Sequence, residues 1–123
     1  MNRCRLAVRA GLNLAQGISL HRCGGHFDGS TVLLWPDGAE GRGVLFSSDT
    51  LHVVQDRRHV SFMYSYPNYI PLPAAAVRGI VDRVMGLHFD RIYSHFTNLE
   101  IETDARAAVR RSAERYLRAI GAE

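Results

Sequence analysis

The chain has 123 residues, 46% of them hydrophobic, and a net charge of +3. It is expected to form one globular domain, residues 1–123. No apolar run reaches the ~20 residues that a membrane-spanning helix needs. All 15 basic residues are arginine. They alternate with Asp and Glu except along one C-terminal helix, which reads as a genomic codon preference. Neither a nucleic-acid interface nor a membrane surface is therefore expected.

The start, Met1 to Val8, is basic, but Arg9, Gly11 and Asn13 interrupt the apolar stretch, which argues against a signal peptide. Leu6, Val8, Leu12 and Leu14 fit either a frayed strand or a short helix. Cys4 and Cys23 are too few and too far apart for a disulfide framework or a paired-cysteine zinc motif, so a reducing cytoplasm is the expected compartment. Cys23 reads as a small buried hydrophobe, with a metal or redox role as the alternative.

Residues 18–23 alternate around Leu20 and predict a strand, which Gly24-Gly25 ends. Thr31-Val32-Leu33-Leu34-Trp35 is an unbroken apolar run, suited to a strand covered on both faces. Pro36-Asp37-Gly38 is turn chemistry, and Val44-Leu45-Phe46 returns as the hairpin partner. Residues 52–71 hold His52, His59, Phe62, Tyr64, Tyr66 and Tyr69 without a period and predict a long aromatic loop. That loop either lines a pocket or covers an apolar edge, and His52 and His59 read as loop histidines without a role.

Ala76, Val77, Ile80, Val81, Val84 and Leu87 have helical spacing over 73–87, with Pro73 in the first turn and His88 at a helix end. Residues 91–95 predict a short strand. Thr103 is the expected N-cap of a last helix whose apolar face is Val109, Ala113, Tyr116, Leu117 and Ile120. Its arginines, from Arg106 to Arg118, read as a solvated face. The order of elements predicts an α/β (α+β) fold, a mixed sheet with two helices on one face.

His26 stands where one strand ends, and Asp49 follows the returning strand of the hairpin. Both should reach the same sheet edge. A strand at 91–95 running parallel to 44–48 brings His95 there too. Two imidazoles and a carboxylate suit Zn²⁺ or Fe, and an ion so held lowers the pKa of a bound water and supplies a hydroxide nucleophile.

Gly25-His26-Phe27-Asp28-Gly29-Ser30 resembles the Gly-His-Thr-Pro-Gly-Ser segment of metallo-β-lactamase-fold hydrolases. Phe46-Ser47-Ser48-Asp49-Thr50 resembles that family's Phe-Thr-Gly-Asp-Thr segment, and the intervening hairpin with Trp35-Pro36-Asp37-Gly38 is similar too. The resemblance covers about residues 18–120 and implies the C-terminal half of an αββα sandwich. It implies His26 as a ligand of the first metal and Asp49 as the carboxylate that bridges or binds a second. His95 would be the last histidine, although the family's flanking glycines are absent. Zn is the implied cofactor, with Fe or Mn as alternatives. The family's His-x-His-x-Asp-His string does not occur here, so the resemblance implies a truncated, weakly active or inactive hydrolase-like protein. The alternative is a non-enzymatic interaction module. In either case the sheet face left open, carrying Val32, Leu34, Val44 and Phe46 or their alternating neighbours, is expected to pair two copies of the chain.

Overall fold

The computed structural model of the chain describes residues 12–13 and 17–122. Of the segment expected to be a frayed strand or short helix, Leu12–Asn13 forms β1, and Leu6, Val8 and Leu14 lie outside the described residues. Then come β2 (Ser19–Arg22), β3 (Thr31–Trp35), β4 (Val44–Ser48), β5 (His52–Val53), β6 (Val60–Ser61), α1 (Ala74–Met85), β7 (Arg91–Ser94), β8 (Glu100–Ile101) and α2 (Ala105–Ala119). Six strands form one sheet in the order β1-β2-β3-β4-β7-β8, and β5 pairs with β6 in a second, two-stranded sheet. Only β4 and β7 are parallel in the large sheet; its other pairs are antiparallel. The fold is α+β with a mixed sheet, as the order of elements predicts.

The parallel pair follows from the helix between its strands, because a parallel return needs a long crossover. β4 and β7 both end at the edge that carries the loops 23–30 and 47–51. Val32, Leu34, Leu45, Ile92 and Ile101 alternate toward α1 and α2, where they join Val77, Ile80, Val84 and Val109 in one buried cluster.

The opposite face is only partly covered. Leu20, Leu33, Phe46 and Tyr93 are in direct register across four consecutive strands. Phe46 and Tyr93 are 39% and 37% exposed, and their rings stack at 5.6 Å. The open face is thus made of the alternating neighbours of Val32 and Leu34, not of those residues. Val44 is also buried, because the turn after β3 folds over it. A Cβ built on Gly38 would stand 2.6 Å from both Trp35 and Val44.

The segment predicted as a continuous loop over 52–71 contains a regular element. β5 and β6 pair antiparallel, with Val53 and Val60 facing the core. Two residues per strand are too short to show a period in sequence. The expected Thr103 cap is displaced as well. Asp104 is the N-cap, in the left-handed region at φ 56° and with no side-chain cap bond. Asp90 serves that end from another element: its carboxylate accepts from the Asp104 N–H at 2.9 Å and its carbonyl from the Ala105 N–H at 3.1 Å. Nor is the arginine face wholly solvated, since Arg106 donates to the Met85 carbonyl at the end of α1 and Arg111 to the Arg58 carbonyl.

Candidate functional site

The loop after β2 is tightened by its own backbone. The Cys23 and Gly24 N–H groups both donate to the Ser30 carbonyl, and the His26 N–H donates to the Gly24 carbonyl. Gly25 has φ +84°, and its missing side chain leaves room for Ile80, whose Cδ1 would lie 2.5 Å from a Cβ there. The loop after β4 turns through Ser48 at φ 48° and closes with the Ser47 hydroxyl on the Leu51 carbonyl. The buried hydroxyls of Ser30 and Thr50 join the two loops at 2.5 Å. His26 and Asp49 therefore sit on two short loops fastened to each other.

The structure brings them together. His26 Nε2 stands 3.7 Å from Asp49 Oδ2, with the histidine side chain 10% exposed and the aspartate 32%. That separation exceeds a hydrogen bond. The other ring nitrogen, Nδ1, lies 3.0 Å from the Met63 carbonyl. A carbonyl only accepts, so Nδ1 carries the hydrogen and, in the neutral ring, Nε2 presents its lone pair toward the carboxylate. A second tie runs from the Ser65 N–H to the His26 carbonyl. The aromatic segment thus serves the site through its backbone, while Tyr64, Tyr66 and Tyr69 are exposed.

His95 follows Ser94, which is in register with Ser48, so it ends at the same edge. Its side chain is exposed and its ring meets Phe96 edge-on at 4.8 Å. Among the described residues, no three His, Cys, Asp or Glu side chains gather closely enough to hold one ion. His26 and Asp49 form a pair, and His95 shares their sheet edge without joining them.

His52, expected to be an idle loop histidine, belongs to the surroundings of that pair. Burial lowers its pKa, the Asp49 charge opposes this and His26 adds to the lowering. Its Nδ1 is buried without a hydrogen-bond partner. The sequence signal was its position three residues after Asp49, at the start of β5. Cys23 packs, partly buried, against the core, in line with its reading as a small hydrophobe, and burial pushes its thiol up to about 11, which leaves almost no thiolate at neutral pH. His59 is bound to the Asp56 carboxylate at 2.9 Å, within a turn in which Asp56 also accepts from the Arg58 and His59 N–H groups.

An open groove of about 690 Å³ lies next to His52. One wall is His52 to Gln55 with Arg57, and the other is Phe96 to Leu99. The Ser94 hydroxyl accepts from the Val53 N–H at 3.1 Å and donates to the Leu99 carbonyl at 3.3 Å, which fixes the two walls to each other.

The chain is similar to Uncharacterized protein YmaE of Bacillus subtilis (strain 168), with 47% identity over 112 residues. Those residues are 91% of this chain and 40% of the relative, so the chain spans about two fifths of the relative's length. No family model matches the sequence, and no solved structure does. No helix among the described residues is long and apolar enough to cross a membrane.

Proposed function

We propose that the chain carries part of a metal site of the metallo-β-lactamase kind, and that it derives from a metal-dependent hydrolase of esters, thioesters, amides or phosphoesters. The observation that carries this is the tethered His26 ring, whose Nδ1–H is held by the Met63 carbonyl while Nε2 faces Asp49 at 3.7 Å. Metal-binding histidines are commonly held this way, with the second nitrogen fixed by a carbonyl or carboxylate. Two ligands of one tetrahedral Zn²⁺ stand roughly 3.4 Å apart, given bonds of about 2.1 Å, so the observed gap fits a shared ion.

His26 and Asp49 would hold Zn²⁺, with Fe or Mn as alternatives, and His95 is the third candidate from the same edge. A bound ion there supplies Lewis acidity and acidifies water. With so few ligands the site holds one ion weakly, and hydrolysis by this chain alone is weak or absent. The paired Ser30 and Thr50 hydroxyls keep the two loops in place. The free, partly buried Cys23 thiol agrees with a reducing cytoplasm, where we place the protein.

The test is equilibrium dialysis of metal-stripped protein against Zn²⁺, read by elemental analysis. About one equivalent is expected, with affinity at least tenfold weaker in His26→Ala and in Asp49→Ala. Binding that is equal in the wild type and the double variant would remove the site.

A second proposal concerns the open sheet face and is favoured by the in-register row Leu20, Leu33, Phe46 and Tyr93. In it the chain is an interaction module that pairs two copies sheet on sheet. Four strands at about 4.8 Å spacing and five residues at about 3.3 Å rise make a patch of roughly 300 Å². Standard interfaces bury about 800 Å² per partner, so the homodimer is weak. The longer relative has three fifths of its length outside the matched stretch, enough chain to cover such a face internally. Sedimentation velocity should show reversible dimerisation rising through about 100 μM, abolished by Phe46→Asp. A wild-type protein that stays monomeric through that range sinks the module.

A further inference from the structure

We infer that the groove between the 52–57 and 96–99 segments binds the uncharged aryl or short acyl arm of the substrate, an ester or amide whose reacting carbonyl then lies toward His26 and Asp49. This rests on the hydrolytic origin proposed above and adds the substrate class to it.

Three observations carry the inference. The first is position. His52 lines the groove and begins β5 three residues after Asp49, and Phe96 of the other wall follows His95, so the groove adjoins the candidate site. The second is the lining. Phe96, 60% exposed, lines the groove together with Val53, Val54 and Leu99. An aryl group is well received by such a ring, in edge-to-face or offset contact. The third is charge. Arg57 is the one lining residue with a formal charge, and it is answered by Glu100, whose carboxylate accepts from Arg57 Nη2 at 2.9 Å and whose carbonyl accepts from Nε at 3.3 Å. A groove whose one charge is already paired offers an ionic arm no uncompensated opposite charge, and desolvating an ionic arm is costly.

The walls are also preformed. Ser94 pins them at the base and the Arg57–Glu100 pair joins them at the rim, so little ordering is needed on binding.

The experiment titrates ¹⁵N-labelled protein, metal-stripped and in EDTA, with phenylacetamide and with phenylacetate. Amide shifts are expected in 52–57 and 96–99, with phenylacetate at least fivefold weaker. Phe96→Ala should weaken phenylacetamide at least fivefold, and Tyr69→Ala, at an exposed aromatic outside the groove, should leave it unchanged. Because metal is absent throughout, failure of Zn²⁺ binding does not alter this result. Shifts centred instead on Phe46 and Tyr93 or on residues 64–70, equal affinity for the two probes, or an inert Phe96→Ala would each overturn the assignment. So would the absence of any shift up to the solubility of the amide.

Discussion

Gly43→Ala is expected to lower the stability of the folded protein by about 3 kcal/mol or more, a large part of the 5–15 kcal/mol that holds a domain of this size together. Gly43 directly precedes β4 and has φ +93°, where an L side chain is strained. A Cβ there would stand 2.3 Å from the His88 carbonyl oxygen and 2.9 Å from the Phe89 Cα. Both are backbone atoms and neither can rotate away. Gly43 cannot withdraw either. Its N–H donates to the Gly38 carbonyl at 2.9 Å, and its own carbonyl accepts from the Asp90 and Arg91 N–H groups at 2.9 and 3.2 Å. These bonds set the start of the β4–β7 parallel pair, on which the meeting of the site loops depends.

Gly41→Ala isolates the conformational part of that cost. Gly41 has φ +86°, but a Cβ there meets nothing within 4 Å. Its loss should be about 1 kcal/mol. Urea denaturation of the two variants measures the difference directly. Equal losses would mean that the approach of the α1–β7 connection to Gly43 costs nothing.

The long elements were legible because their signals are long. The apolar run Thr31–Trp35, the returning Val44–Phe46 and the spacing of Val77, Ile80 and Val84 each repeat often enough to name an element. The parallel return of β7 followed from the helix before it. What escaped was held by contacts distant in sequence. β5, β6 and β8 have two residues each, with Val53, Val60 and Ile101 as their inward members. Asp90 replaces a local cap for α2 from fourteen residues upstream of Asp104, and no capping pattern spans that distance.

The candidate site divides in the same way. His26 and Asp49 could be placed at one edge because a hairpin returns the chain to its start. The Met63 carbonyl that fixes the His26 ring is 37 positions away and is a backbone group, so no side-chain identity announces it. His52 looked idle because β5 is too short to show a period, and its partner in register, Ser61, stands nine positions further on.

That backbone tie makes Phe62 the residue through which the core reaches the site. Phe62→Ala should cost about 3–5 kcal/mol, the range for emptying a large aromatic site. Phe62 is 1% exposed, and its ring meets Tyr116 of α2 edge-on at 5.3 Å. It directly precedes Met63. When the ring is removed, movement of this segment into the cavity carries the Met63 carbonyl with it.

A milder variant separates position from folding. Phe62→Leu keeps most of the volume and should cost no more than about 1.5 kcal/mol. It should still weaken Zn²⁺ binding severalfold, because the His26 ring loses its fixed partner. Tyr116→Phe is the complement. It keeps the ring contact but removes the hydroxyl that accepts from the Leu72 N–H at 2.7 Å. The buried donor left behind costs about 1–3 kcal/mol. Metal binding should not change, since Leu72 lies beyond the segment that holds His26. If Phe62→Leu binds Zn²⁺ as tightly as the wild type, or if Tyr116→Phe weakens binding as much as it does, the carbonyl tether is not what orients His26.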